Sequence, residues 1–223
     1  MKPIIVAIDG PAGAGKSTVA KRLAKKLGYT YMDTGAMYRA FALKAARDGI
    51  ELENEDTLRG ALAATNIELH EDARGPKVVL DGRDVAGEIR TPELSQAASK
   101  VSALKLVRER MVELQRAMGA RGGIVAEGRD IGTVVFPKAE VKVFLTAGSG
   151  ERARRRFAEL KGNGKEVTLE ETVAEMEQRD RRDREREHAP LRQAEDAIGL
   201  DSTGMTVDEV VERIMKEIKK KTR

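Results

Sequence analysis

The segment GPAGAGKS, from Gly10 to Ser17, limits the possible folds of this chain more than any other feature. It fits the phosphate-loop pattern G-x-x-x-x-G-K-[ST] at every fixed position. The apolar run from Pro3 to Ile8 precedes it, and Val19 and Leu23 follow it at helical spacing. This order predicts a buried strand, a glycine turn and a helix. Because such a turn directs backbone N–H groups and a helix N-terminus at one point, it predicts phosphate binding.

The residue types inside the loop indicate phosphoryl transfer or nucleotide switching. Lys16 would supply a compact positive charge for the outer phosphates, and the Ser17 hydroxyl could ligate Mg²⁺. The string N-K-x-D, with which GTPases read guanine, is absent, and 223 residues are too few for a large motor ATPase. The favoured class is therefore a kinase for a small molecule.

Composition excludes several other classes. The chain has no cysteine, which excludes disulfides and Cys-ligated zinc, and two distant histidines make a His-based metal site improbable. Its 41 basic and 37 acidic residues give a net charge of only +4, and aromatic residues reach 3%, a poor composition for an RNA-binding surface. No apolar stretch reaches the ~18 residues of a membrane span. We expect a cytoplasmic protein with neither nucleic acid nor membrane as a partner.

Strand and helix patterns alternate along the rest of the chain. Residues 66–85 alternate between apolar and polar types around an Asp81-Gly82 turn, which predicts a small antiparallel sheet inserted into a helical region. Thr91-Pro92 opens a helix that runs to about Met118, with a break near residues 103–105. The alternation predicts an α/β fold in which helices wrap a parallel sheet. Further strands are predicted in YTYMDTG, GGIVAEGRD, EVKVFLTA and AIGLDST.

The segment DTGAMYRA follows the second predicted strand and offers a second anion site. Arg39 could clamp a phosphate, since its guanidinium fork matches phosphate oxygens, and Tyr38 could pack on a flat ring. The alternative is a simple helix start, capped by Asp33 or Thr34, with Arg39 solvated.

The segment EGRDIGTVVFP follows another buried strand at its carboxyl end, where open α/β sheets bind ligands. Arg129 and Asp130 would there supply a cation for phosphate and an acceptor for an exocyclic amine. The alternative is a surface ion pair.

The region 150–188 is rich in arginine and has few large apolar residues after Met176, so we expect a mobile surface element. Arg179, Asp183 and Arg186 share one helical face and could grip phosphates and a sugar hydroxyl. A lid of this kind would keep water from the γ-phosphate. The alternatives are a solvated helix of ion pairs and an RNA-binding segment.

Taken together, these strings resemble the bacterial cytidylate kinase family over nearly the whole chain. The resemblance implies a P-loop fold with a parallel five-stranded sheet wrapped by helices, a monophosphate-binding domain with a small antiparallel insertion, and an Arg-rich helical lid. The implied core covers approximately 1–34, 104–151 and 188–223, the monophosphate-binding domain 35–103 with its insertion at 66–85, and the lid 152–187. The resemblance also implies a monomer that phosphorylates CMP or dCMP with ATP and Mg²⁺. The strings that carry the resemblance are IDGPAGAGKST, DTGAMYR, DVAGEIRTPELSQAAS, VRERM, EGRDIGTVVFP, RDRRDRER and LDST.

The same resemblance implies roles for individual residues. Those that would hold the ATP phosphates are Gly10, Pro11, Ala12, Gly13, Ala14, Gly15, Lys16, Ser17 and Thr18. Those that would hold CMP are Thr34, Tyr38, Arg39, Ser99, Arg108, Arg129, Asp130, Arg179, Asp183 and Arg186. Of these, Ser99, Arg108 and Asp130 would read the cytosine edge, and Asp183 would take the ribose hydroxyls. Those expected to act on the transferring group are Lys16, Arg129, Arg179 and Arg186.

Two points stay open at this stage. Related kinases often have Gly where this chain has Ser17, so direct ligation of Mg²⁺ by Ser17 is one of two possibilities, the other being ligation through water. The acceptor could also be UMP, shikimate or dephospho-coenzyme A, which an otherwise similar P-loop kinase would use.

Overall fold

The computed structural model describes residues 3–72 and 75–221. These fall into two compact units. The first unit is Met1–Tyr31 with Gly122–Arg223, and the second is Met32–Arg121. Among the described helices, none is long and apolar enough to cross a membrane.

The first unit is built on a sheet, and the loops that carry candidate site residues follow its strands. The strands are β1 (Ile5–Asp9), β2 (Thr30–Asp33), β6 (Ile124–Gly128), β7 (Val141–Thr146) and β8 (Ile198–Asp201), and the division between the units falls inside β2. They form one five-stranded sheet in the order β2-β6-β1-β7-β8. The helices of this unit are α1 (Lys16–Leu27), α6 (Ser149–Gly162), α7 (Leu169–Glu185) and α8 (Val207–Lys221).

Parallel pairing brings the ends of three strands together. β1 lies between β6 and β7, with Asp9 opposite both Gly128 and Phe144. Since all three strands run the same way, the phosphate loop after β1 and the segment after β6 start from the same sheet edge. The parallel sheet predicted from the sequence is confirmed.

Burial on both faces explains why the strands read as continuous apolar runs. Val6, Ile8 and Leu145 are fully buried, and Val19 and Leu23 of α1 pack in the same cluster. α8 adds a buried stripe that begins at Val210, and its N-terminus has the capping box in which Thr206 and Glu209 exchange hydrogen bonds.

The described residues of the second unit form four helices and the predicted antiparallel sheet. The helices are α2 (Thr34–Asp48), α3 (Glu55–Ala63), α4 (Pro92–Val101) and α5 (Lys105–Gly119), and the strands are β3 (Ile67–Asp72), β4 (Gly75–Leu80) and β5 (Arg83–Asp84). Asp81 and Gly82 both have positive φ, 48° and 84°, as a tight hairpin turn requires. The break predicted near residues 103–105 separates α4 from α5.

The arginine-rich segment departs from its prediction in one respect. We expected little burial after Met176, yet α7 continues to Glu185 and buries Asp180 and Asp183 as well as Met176. The buried face is thus continued by carboxylates instead of apolar side chains, and ion pairs described below neutralise them.

Candidate active site

The phosphate loop after β1 needs glycine for its shape. Gly10, Gly13 and Gly15 have positive φ values of 152°, 71° and 88°. A Cβ at Gly10 would lie 2.0 Å from the carbonyl oxygen of Leu145, and one at Gly13 would lie 2.7 Å from that of Arg152. Both the backbone conformation and the close approach of neighbouring backbone therefore exclude larger residues.

The N-terminus of α1 is open to an anion. Gly15 occupies the N-cap without a side-chain hydrogen bond, and no acidic residue lies in the first turn. Ser17 and Thr18 are exposed in that turn. The first N–H groups of α1 and the positive end of its dipole are therefore available to phosphate oxygens.

Lys16 is the buried lysine of the loop, and its surroundings disfavour its positive charge. Its ammonium donates to the carbonyl of Pro11 at 2.7 Å. Burial, together with the positive charges of Arg129 and Arg179, lowers the pKa of Lys16 from 10.5 to about 7, against the opposing effect of Glu127. A bound polyanion would offset this excess of positive charge, so the surroundings of Lys16 favour an anionic ligand.

Two arginines of the first unit converge on one carboxylate. Arg129 Nε donates to Asp183 Oδ2 at 2.8 Å, and Arg179 Nε lies 3.9 Å from the same oxygen. Burial would raise the pKa of Asp183, but Arg129 and Arg179 hold it below its ordinary value. Asp183 is therefore an anion at neutral pH and orients both guanidinium groups.

Asp130 and Arg186 form a neighbouring pair. Arg186 Nη2 lies 3.6 Å from Asp130 Oδ1, and both side chains are buried. The alternative that Arg129 and Asp130 form a surface ion pair with each other is wrong, because each pairs with a residue of the Arg179–Arg186 segment.

In the second unit, the guanidinium group of Arg39 is suited to bind an anion. Asp33 caps α2 by accepting from the Ala36 amide at 2.8 Å and also pairs with Arg39 Nη2 at 3.0 Å. Burial opposes ionisation of Asp33, but Arg39 and the Ala36 amide keep its pKa below the ordinary value. The Nε of Arg39 is buried and has no hydrogen-bond partner in residues 3–72 and 75–221. Thr34, at the start of α2, is buried.

Three other predicted residues also come together in the second unit. The Arg108 guanidinium lies 5.7 Å from the ring centre of Tyr38, a cation–π distance. Arg108 donates to the carbonyl of Ser102 at 3.0 Å, and the Ser102 hydroxyl donates to the carbonyl of Ser99 at 3.0 Å. Arg108, Ser99 and Tyr38 are all buried, so they form one polar group inside this unit.

Comparison with known proteins identifies the family. The sequence model described as cytidylate kinase matches residues 6–220. The chain belongs to the cytidylate kinase family. It is 52% identical over 218 residues to a cytidylate kinase of Geobacter sp. (strain M21), covering 98% of this chain and 94% of that one. It is also 52% identical over 216 residues to a cytidylate kinase of Carboxydothermus hydrogenoformans, covering 97% of each.

One solved structure supports the fold alone. An uncharacterised protein from Eubacterium ventriosum superposes with a TM-score of 0.55 at 16% identity, covering 98% of this chain and 99% of that chain. The family membership and P-loop fold expected from the sequence are both confirmed by these relatives and by the sheet order.

This member of the cytidylate kinase family also has site residues that the sequence did not reveal. Asp9, at the end of β1, accepts from the amides of Ile131 at 2.8 Å and Gly132 at 2.7 Å. Those amides open a π-helical turn (Ile131–Val135) directly after Asp130. Asp9 thereby fixes the backbone that carries Arg129 and Asp130. The sequence signal was weak, since Asp9 looks like an ordinary strand end.

Protonation of Asp9 makes the stability of this cytidylate kinase family member depend on pH. Burial raises its pKa from 3.8 to about 6, assisted by Asp130 and opposed by the Gly132 and Ile131 amides and by Lys16. The folded state therefore holds the Asp9 proton at pH values where the unfolded state has lost it. This contribution to stability is present below pH 3.8 and is lost as pH rises through about 6.

We expect Asp9→Asn to remove this dependence. The wild type's free energy of unfolding, minus that of the variant, should fall by about 1.4 kcal/mol between about pH 5 and about pH 7.5. Urea unfolding of both proteins at these two pH values measures it. A difference that stays constant between the two pH values would show that Asp9 does not titrate in this range.

Proposed function

We propose that this chain transfers the γ-phosphoryl group of ATP to CMP or dCMP, giving ADP and CDP or dCDP. The observation that carries the proposal is the positive charge beside the phosphate loop. Burial and the charges of Arg129 and Arg179 lower the pKa of Lys16. The two arginines that would hold the acceptor phosphate therefore lie close enough to act electrostatically at the phosphate loop as well. The names of relatives about 50% identical over nearly the whole chain support CMP as the acceptor.

ATP is the donor in this proposal, and the loop from Gly10 to Thr18 holds its phosphates. Backbone N–H groups and the N-terminus of α1 bind the oxygens, and Lys16 neutralises the outer phosphates. In-line attack by the acceptor phosphate gives CDP without a covalent enzyme intermediate. Since the transition state spreads charge over the transferred oxygens, the catalytic groups are cations: Lys16, Arg129, Arg179 and Arg186.

The residues present fit Mg²⁺ bound together with nucleotide. In the described part of the chain no cluster of three or more His, Asp or Glu could hold a metal ion by itself. The exposed Ser17 hydroxyl in the first turn of α1 is an oxygen donor of the type that Mg²⁺ accepts, and phosphate oxygens would supply others. When bound, Mg²⁺ would neutralise part of the negative charge of the phosphates.

Three residues recognise the cytosine base in this proposal. Ser99 and Arg108 donate to the acceptor atoms of cytosine. Asp130 accepts from the exocyclic amine. Uracil has a carbonyl in place of that amine, which would leave a carboxylate oxygen and a carbonyl without donors.

The phosphate and ribose of CMP use other side chains. In this proposal Arg39, Arg129 and Arg179 bind the phosphate and Asp183 accepts from the ribose hydroxyls. Thr34 and Tyr38 also contact CMP. Arg186 acts at the phosphates. The segment 152–187 is the lid that keeps water from the γ-phosphate, so the phosphoryl group passes to CMP and not to water.

We further propose that the protein is a monomer that works in the cytoplasm, where its nucleotide substrates are found. Size-exclusion chromatography with light scattering tests the first part. A mass near 24.4 kDa is expected, whereas a mass twice as large would refute it.

A panel of acceptors tests the proposed function. Purified protein with ATP and Mg²⁺ should release ADP rapidly with CMP and dCMP, and much more slowly with UMP, shikimate or dephospho-coenzyme A. A coupled assay of ADP release measures all five. Faster turnover of any of the last three than of CMP and dCMP would replace the proposal with a kinase for that acceptor.

The base-reading role of Asp130 gives a specific prediction. Asp130→Ala should lower kcat/KM for CMP by roughly 10- to 100-fold, because the amine of cytosine loses its acceptor in a desolvated site. The affinity for ATP should change by less than about twofold, and the preference for CMP over UMP should shrink. Steady-state kinetics with both acceptors and calorimetry with ATP measure this. Equal losses for CMP and ATP would contradict the role.

A further inference from the structure

A buried ion pair outside the predicted site touches the phosphate loop. Arg152 of α6 and Asp180 of α7 are 8% and 5% exposed, and their Nη1 and Oδ2 atoms are 2.6 Å apart. Asp180 Oδ1 accepts from the amide of Ala12 at 3.2 Å, and Arg152 Nη1 donates to the carbonyl of the same residue at 2.9 Å. Both backbone polar groups of Ala12 are therefore held by one ion pair.

The pair connects three segments that are far apart in sequence. Ala12 belongs to the phosphate loop, Arg152 to the first turn of α6, and Asp180 to α7. Arg152 also donates through Nε to the carbonyl of Ala147, which ties the start of α6 to the end of β7. The pair lies beside a small apolar cluster of Ala12, Ala153, Val173 and Met176.

The position of Asp180 in α7 places this pair next to residues that are proposed to act in substrate binding and phosphoryl transfer. Asp180 directly follows Arg179 and lies three residues, almost one helical turn, before Asp183. Arg179 and Asp183 are the residues of α7 that converge with Arg129. Holding Asp180 against Ala12 therefore holds the backbone of α7 next to the loop that would bind the ATP phosphates.

Charge explains why Arg152 must accompany Asp180. A lone carboxylate against the phosphate loop would repel a polyphosphate and would be costly to bury. Arg152 neutralises it while also occupying the Ala12 carbonyl. The contact thus fixes position without adding net negative charge beside the anion site.

We propose that Arg152 and Asp180 are positioning residues, which fix α7 against the start of the phosphate loop so that Arg179 and Asp183 are correctly placed for phosphoryl transfer. The inference rests on the proposed function. Neither residue touches the reacting atoms in this account. Small displacements of groups that stabilise a transition state can reduce rates by about 100-fold, so the expected effect is on kcat.

The decisive variant replaces the whole pair. In the double variant Arg152→Met/Asp180→Leu, apolar side chains extend the neighbouring apolar cluster, and such replacements of buried ion pairs are often tolerated. The single variants Asp180→Asn and Arg152→Gln complete a double-mutant cycle. The control is Asp208→Asn, which breaks the exposed pair between Asp208 and Arg22, 2.8 Å apart.

We expect the double variant to fold and to bind one ATP per chain in calorimetry, but with kcat for CMP about 10- to 100-fold below wild type. KM for ATP should change by less than about threefold. The two single losses should not multiply, since each removes the same contact. The control should match the wild type.

A purely structural pair would give a different result. The double variant would then retain kcat per ATP-binding chain within about twofold of wild type, and this would overturn the proposal. The proposal would also be overturned if the losses of kcat in the two single variants multiplied to give the loss in the double variant. If a single variant fails to fold, the double variant decides alone, and if the double variant fails to fold, the single variants do. A wild type that does not use CMP would instead refute the proposed function, and the same comparison would then use the acceptor found in the panel.

Discussion

Lys16→Met is expected to lower kcat for CMP phosphorylation by about 10³-fold, the largest effect on activity that we predict. Lys16 is the buried cation of the phosphate loop, and its charge is needed most when negative charge builds up on the transferring oxygens. Methionine fills a similar volume but supplies no charge. Steady-state kinetics with saturating ATP and CMP measure the loss.

The same substitution should make the ligand-free protein more stable. Burial and the charges of Arg129 and Arg179 lower the pKa of Lys16 from 10.5 to about 7, so the folded state disfavours its protonated form. The unfolded chain binds this proton more readily at pH 7 to 10, and removing the group should raise the free energy of unfolding there.

Lys25→Met is the matched control, because Lys25 is exposed in the last turn of the same helix. Its kcat and its stability should both stay close to those of the wild type. A Lys16 variant that keeps more than about a tenth of the activity, or that loses stability together with activity, would contradict the assigned role.

Gly10→Ala is expected to have the largest effect on stability, lowering the free energy of unfolding by roughly 4 kcal/mol or more. Its new Cβ would lie 2.0 Å from the carbonyl oxygen of Leu145. That oxygen belongs to the backbone of β7, which is paired on both sides in the sheet, so it cannot move aside cheaply. The φ of 152° adds backbone strain.

Gly28→Ala separates these two causes. Gly28 ends α1 with a φ of 67°, but a Cβ there would meet no atom of the described residues within 4 Å. This variant should lose only about 1–2 kcal/mol, the cost of the left-handed conformation for a residue with a side chain. Urea unfolding measures both proteins. Equal losses would show that crowding at Gly10 is unimportant.

The phosphate loop and the strands could be predicted because their signals are local. Glycine spacing, continuous apolar runs and the Asp81-Gly82 turn each act over a few residues. The helix start at Asp33 shows a limit of such signals. Helix capping and an anion site were posed as alternatives, yet Asp33 caps α2 while it also pairs with Arg39.

Contacts between distant segments could not be predicted in the same way. Asp9 accepts from the Ile131 and Gly132 amides only after the chain has folded. Likewise, only the folded chain brings Asp183 into hydrogen-bond contact with Arg129. Asp180 did leave a signal that we missed. It lies four residues after Met176, on the buried face of α7, where a carboxylate needs a partner.

Transfer of a labelled γ-phosphate tests the central claim most directly. The protein would be incubated with γ-³²P-labelled ATP, Mg²⁺ and CMP, and the products separated by chromatography. We predict that the label appears in CDP in the same amount as ADP is formed, with very little labelled inorganic phosphate. Label found in inorganic phosphate and absent from CDP would contradict this account.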